Sequence, residues 1–141
     1  MMPRTIALVA CVSQKAGVPL PARQLYTSDW FRKASAYAAR RADAWYVLSA
    51  RHGLLPPERV VAPYNETLKQ QSAAERRAWA ARVLNDLRVL LQPGDRVLIL
   101  AGTSYREHLV GPIQALGCTV EVPMRGLAIG QQLHWLKEQL R

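Results

Sequence analysis

A three-layer α/β domain, with a mainly parallel four-stranded sheet flanked by helices, is the fold this sequence predicts. Three observations lead there. Four short runs of strand length, 5–11, 45–50, 96–101 and 118–122, punctuate the chain, and strands apolar on both faces belong to parallel sheets covered on both sides. Segments with helical periodicity alternate with them, the pattern of βαβ units. At 141 residues, 50% of them hydrophobic, the chain is one domain with room for a real core.

The first run, TIALVAC at 5–11, empties into Val12-Ser13-Gln14-Lys15-Ala16-Gly17. Pro19 and Pro21 then forbid regular structure. Ser28 is placed as a helix N-cap, with Asp29 in the first turn. Trp30, Phe31, Ala34, Tyr37 and Ala38 recur at helical spacing and face the sheet, while Arg32, Lys33, Arg40 and Arg41 face outward. The second strand, 45–50, completes a βαβ unit and runs out into Ser49-Ala50-Arg51-His52-Gly53. Residues 51–69, punctuated by Pro56-Pro57 and Pro63-Tyr64-Asn65, read as a long loop without regular structure. Loops of that length tend to be lids or binding loops.

Ser72 and Glu75 spell a capping box before a helix that ends near Gln92. Its buried stripe is Trp79, Val83, Leu84, Leu87, Leu90 and Leu91; Arg76, Arg77, Arg82 and Arg88 make the outer surface basic. Pro93-Gly94-Asp95 is a turn, and the third strand, 96–101, ends at Gly102-Thr103-Ser104. A helix over 105–116 is stopped by Gly117, and Pro112 should kink it or split it in two. The fourth strand, 118–122, ends at Pro123-Met124-Arg125-Gly126-Leu127. The last helix, 130–140, buries Leu133, Leu136 and Leu140 and leaves His134 and Trp135 semi-exposed.

In open α/β sheets ligands bind at the C-terminal strand edge. Here the four edges deliver Cys11, Ser13 and Lys15; Ser49, Arg51, His52 and Gly53; Thr103 and Ser104; and Arg125. Tyr26, Tyr64 and Asn65 complete the set of ligand-binding candidates. The residues expected to do chemistry are Lys15, as an amine nucleophile, and His52, as a general acid or base. A Gly-Thr-Ser strand end that opens a helix can hold an anion on backbone N–H groups, although the P-loop spacing is absent. Carboxylates are few around this edge, Glu66 being the nearest, which argues against a divalent-metal centre. No zinc spacing of Cys and His occurs, nor GxSxG, GxGxxG or an internal repeat, so neither metal nor cofactor is expected.

Lys and Arg number 19 against 10 Asp and Glu, a formal charge of +9 that calls for a polyanionic partner, nucleic acid or nucleotide. The bases are spread along the chain, so no disordered basic tail is implied. Two cysteines make no disulfide framework and suit a reducing cytoplasm. No apolar stretch approaches the roughly 20 residues of a membrane span, so no membrane partner is expected. Met1-Met2-Pro3-Arg4 leads directly into a strand, and no signal peptide is expected. Oligomeric state is left open.

Cys11-x-Ser13-x-Lys15, Pro21-Ala22-Arg23-x-Leu25-Tyr26-x-Ser28-x-x-Phe31-Arg32, Leu48-Ser49-Ala50-Arg51-His52-Gly53-Leu54-Leu55-x-Pro57 and Pro63-Tyr64-x-x-Thr67-Leu68 together resemble a bacterial and phage family of unknown function. The resemblance covers nearly the whole chain. More distantly, Leu-Ser-x-x-x-Gly-x-Leu-x-Pro, Pro-Tyr and the late Arg125-Gly126-Leu127 are similar to the YaaA-like peroxide-stress proteins. That resemblance implies DNA binding and protection against oxidative damage. The Cys-Ser…Lys and Leu-Tyr-x-Ser elements also resemble the core domain of archaeosine synthase, itself similar to the uracil-DNA glycosylase fold. Where a glycosylase carries a carboxylate or Asn after its first strand, this chain has Ser13 and Lys15.

The expected function is therefore nucleic-acid binding or nucleobase handling, DNA before RNA, with bases stacking on Tyr26 or Tyr64 and phosphate held by Arg51 and Lys15. The alternatives are an enzyme acting on a free nucleotide or modified base, and a non-catalytic module whose basic face meets an acidic protein.

Overall fold

The computed structural model describes residues 3–11 and 14–141. Strand β1 (Thr5–Ala10) lies at the middle of a five-stranded sheet, whose order is β4 (Gly53–Leu55), β3 (Ala44–Ser49), β1, β6 (Arg96–Leu100) and β7 (Thr119–Glu121). Its neighbours β3 and β6 both run parallel to it, and β7 runs parallel to β6. Alternate side chains of β1 enter different cores. Ala7 and Val9 pack with Phe31, Ala34 and Ala38 of α2 (Asp29–Arg41) and with Leu136 of α6 (Ile129–Gln139). Ile6 and Leu8 pack with Trp79, Val83 and Leu87 of α3 (Ala73–Leu90) and with Ile113 of α5 (Val110–Ala115). Burial on both faces is why the strand is apolar from Ile6 to Ala10. The three-layer, mainly parallel reading is what the chain adopts.

Local signals explain the helix ends. The Ser28 hydroxyl accepts the Phe31 N–H at 3.1 Å and caps α2, and Ser72 and Glu75 form the reciprocal capping box of α3. The helix expected at 105–116 is split into α4 (Thr103–Arg106) and α5. Pro112 occupies the first turn of α5, where a missing N–H costs nothing.

Three expectations change. The sheet has a fifth strand, β4 (Gly53–Leu55), which folds back antiparallel on β3. The region around Pro19 and Pro21 is not without regular structure: β2 (Leu20–Pro21) leads into α1 (Ala22–Leu25), with Pro21 as its N-cap. Segment 51–69 is likewise structured, with β4, β5 (Val60–Val61) and a 3₁₀ turn over Leu68–Gln70. β2 and β5 pair antiparallel in a separate two-stranded sheet. The Ala22 and Arg23 N–H groups donate to the Arg59 and Pro57 carbonyls at 2.8 and 2.9 Å. Thus the orphan donors at the start of α1 satisfy acceptors of the proline-rich segment. Pairing between two irregular pieces distant in sequence leaves no periodic trace in either.

Candidate functional site

Ser49, Ala50, Arg51, His52 and Gly53 make the hairpin between β3 and β4, in which Ser49 pairs with Gly53. Gly53 has φ +70°, the left-handed conformation that such a three-residue turn requires, so its placement here answers first to the turn. The turn fixes Ser49. Its buried hydroxyl accepts the His52 N–H at 3.0 Å, and its carbonyl accepts the Trp79 indole N–H at 2.8 Å. Ser49 Oγ also lies 2.6 Å from the Tyr64 hydroxyl, which in turn lies 2.6 Å from the Tyr26 hydroxyl. The His52 ring stands edge-on to Tyr64, centroids 5.4 Å apart.

Lys15 reaches this network from the β1 side. The Ala16 N–H donates to the Leu25 carbonyl at 2.8 Å, and the Thr27 N–H to the Gln14 carbonyl at 3.0 Å. Lys15 and Tyr26 are therefore opposed across an antiparallel bridge. The Lys15 ammonium sits 4.4 Å from the Tyr64 ring centroid and 5.7 Å from that of Tyr26, within cation–π range. Cys11, whose N–H extends the β1–β3 ladder to the Leu48 carbonyl at 3.0 Å, places its sulfur 3.3 Å from the Tyr105 hydroxyl. Tyr105 is on α4, directly after β6. The sheet order reverses between β1 and β6, so the Cys11–Tyr105 contact bridges the topological switch point.

Burial sets the protonation of this cluster. Desolvation, and after it the charge of Cys11, pushes Tyr26 up to about 12; the same causes raise Tyr64 and Tyr105. All three phenols stay protonated and able to donate. Desolvation lowers the half-buried Lys15 amine, against an opposing pull from Cys11. Desolvation also lowers His52, joined by the positive charges of Arg51 and Arg59. The imidazole is thereby biased toward its neutral form at pH 7.

Beside the cluster a cleft of about 480 Å³ opens between the ends of β6 and β7. Gly102, Thr103 and Arg106 line one wall, and Met124, Leu127 and Gln132 line the other. Arg106 is anchored by donation to the Ala101 carbonyl at 2.8 Å, and Gln132 accepts the Trp30 indole N–H at 2.9 Å.

The structure thus brings together Cys11, Lys15, Tyr26, Ser49, His52 and Tyr64, with Gly53 beneath them. Arg51 and Asn65 are exposed, Arg51 pairing with Glu66 at 3.5 Å. Thr103 lines the neighbouring cleft, and Ser104 stands half-buried on the same turn. Arg125 is exposed on the turn after β7, between cleft residues Met124 and Gly126. Ser13 lies outside the described residues. The stacking role expected of Tyr26 and Tyr64 does not fit their setting. Their relative exposures are 1% and 6%, and Lys15 stands over the Tyr64 ring, so neither offers an open face.

Neither Tyr105 nor Trp79 is among the site residues expected from the sequence, which reads Trp79 only as part of a buried helical stripe. Tyr105 lies two residues beyond Thr103 on the same strand-end helix, a position that could have marked it. Trp79 sits at a core spacing, and nothing local reveals its indole bond to Ser49.

Fold and site together define an open α/β domain with a polar, lysine-bearing cluster at the switch point of its sheet. The chain belongs to the family of unknown function DUF6884, whose sequence pattern matches residues 6–138. No match emerged among curated proteins or among solved structures.

Proposed function

We propose that this chain binds nucleic acid or a nucleotide at the C-terminal edge of β1, β3 and β6. One observation carries the reading: an ammonium, a thiol and a set of protonated hydroxyls converge on the switch point, beside a cleft large enough for a base or sugar. Phosphate is matched by Lys15 and by Arg106 at the cleft wall. Donors and acceptors of a base edge are matched at the cleft wall by the Thr103 hydroxyl and by Gln132. The formal charge of +9 supports a polyanion, and the likeness to YaaA-like proteins favours DNA, with a part in oxidative-stress protection, over RNA. The free thiols of Cys11 and Cys118 suit a cytoplasmic setting. Among the described residues no helix is long and apolar enough to cross a membrane.

Fluorescence anisotropy with labelled single-stranded, double-stranded and RNA oligonucleotides, across a salt series, tests this reading. The expected result is binding with a steep negative slope in log salt, weakened by Lys15→Ala and by Arg106→Ala. Absence of binding at low salt sinks the nucleic-acid reading. Affinity untouched by both substitutions moves the contact away from this edge.

A second reading is favoured by the lowered Lys15 amine. Desolvation brings the neutral, nucleophilic form of an amine closer to reach, which fits an enzyme acting on a free nucleotide or modified base. It predicts saturable stabilisation in a thermal-shift screen of nucleotides, lost in Lys15→Ala. A screen without a stabilising nucleotide removes it.

A further inference from the structure

A second cleft, of about 310 Å³, lies at the other end of the sheet, beneath the starts of β1 and β6. A strand of the length of β1 separates it from the Lys15 cluster, roughly 17 Å at 3.3 Å per residue. Arg40, Arg41 and Arg96 line it, over a floor made by Tyr37 and Leu98, with Glu121 at its edge. We propose that this cleft is an anion site that takes a phosphate group.

The charge count favours an anion. Three guanidinium groups face one carboxylate, and the C-terminal end of α2 adds only about half a negative charge. Asp43, next to the cleft, accepts the Thr5 N–H at 2.7 Å. Among the described residues, one hydrogen bond or ring contact holds each arginine. Arg40 donates to the Leu140 carbonyl at 2.9 Å and ties α2 to the end of α6. The Arg41 guanidinium stands 5.8 Å from the Tyr37 ring centroid. Arg96 donates to Glu121 at 3.0 Å. A guanidinium carries five N–H donors, so these contacts leave most donors available to a ligand. The Arg96–Glu121 pair has both side chains more than half exposed, at 57% and 54%, and such pairs contribute little. Exchange of Glu121 for a doubly charged phosphate, bound through two parallel N–H bonds, is therefore favoured. Leu98 and Tyr37 exclude water from one side and strengthen that attraction.

The test is calorimetric titration of the full chain with inorganic pyrophosphate at about 0.15 M NaCl, where diffuse attraction is screened. The expected result is saturable binding, weakened about tenfold by Arg41→Ala and by Arg96→Ala, and unchanged in Arg82→Ala. Thermal melts check folding, and Arg41→Gln, which keeps much of the side-chain stem, replaces any alanine variant that melts early. No saturable binding overturns the proposal. So does binding that falls equally in Arg82→Ala, or that falls in Lys15→Ala alone. A labelled oligonucleotide identifies the source of the phosphate. Displacement by pyrophosphate, with a shallower salt slope in the two arginine variants, assigns the cleft to a nucleic-acid backbone. Pyrophosphate binding without displacement assigns it to a small phosphate ester. The Lys15 variants of the previous section report on the other edge, so either site can fail while the other stands.

Discussion

Tyr64 holds the candidate site together through one oxygen. Its hydroxyl meets Ser49 Oγ and the Tyr26 hydroxyl, each at 2.6 Å, in surroundings closed to water. Tyr64→Phe leaves two buried hydroxyls short of a partner, which costs about 1–3 kcal/mol. The expected outcome is a lower urea midpoint at unchanged slope. A slope that changes as well would mean that the cluster shapes the whole native state. Asp95 is a second residue whose environment makes a prediction. It is 3% exposed, and its carboxylate accepts from Arg4 at 2.8 Å and from the Gln92 N–H at 2.9 Å. The Arg4 hydrogen bond, more than any other cause, holds its pKa below the ordinary carboxylate value. That contribution is fully present above the unfolded pKa of about 4 and is lost as pH falls through the lower folded value. Asp95→Asn should therefore be less stable at pH 7 and lose less stability between about pH 4 and 2 than the parent chain. Parallel acid titrations of the two would exclude Asp95 as the titrating group.

The β3–β4 hairpin shows how an element serves the site. A Cβ at Gly53 would meet Val83 Cγ2 at 3.6 Å, an ordinary contact, so space does not limit the position. Its φ of +70° does, and an L-residue there costs about 1–2 kcal/mol. Gly53→Ala should lower the melting temperature, and it should weaken ligand binding as well, because Ser49 and His52 are aimed by that turn. Gly53→Asn should recover part of both losses, since Asn tolerates the left-handed region. Full binding affinity in a destabilised Gly53→Ala protein would separate the turn from the site. The β2–β5 pair does the same service for Lys15 and Tyr26. It anchors α1, whose last residue Leu25 receives the Ala16 N–H and so sets the height of Lys15 against Tyr64.

At the scale of the whole molecule, a formal charge of +9 on 141 residues means mutual repulsion among solvated arginines. Among the described ion pairs, only Asp95 brings a nearly buried carboxylate; the others are more accessible. Screening should therefore relieve repulsion more than it weakens attraction. Adding about 0.15 M NaCl at pH 7 is expected to raise the melting temperature. A fall instead would show that the ion pairs outweigh the net charge. Both clefts lie at ends of the same sheet, so a long anionic polymer that contacts both must pass over a helical face. The exposed Arg77, Arg82 and Arg88 of α3 put positive charge on one such face.

The sequence by itself determined the three-layer, mainly parallel architecture, because burial on both faces of β1 demands apolar residues from Ile6 to Ala10, and the Ser28 and Ser72 caps mark where α2 and α3 begin. It also determined which strand ends are polar, and hence that Cys11, Lys15, Ser49 and His52 share one edge. Only the tertiary structure decided which of those residues meet. The Ser49–Tyr64–Tyr26 hydroxyl chain, the Cys11–Tyr105 contact and the Trp79 bond to Ser49 each join segments brought together by chain reversal. The same holds for the β2–β5 pairing, which orders the proline-rich segment, and for the arginine cleft at the opposite end. A side chain's spacing records the face of its own element that it occupies. Its partner across the fold depends on how elements dock, and local periodicity carries no trace of that.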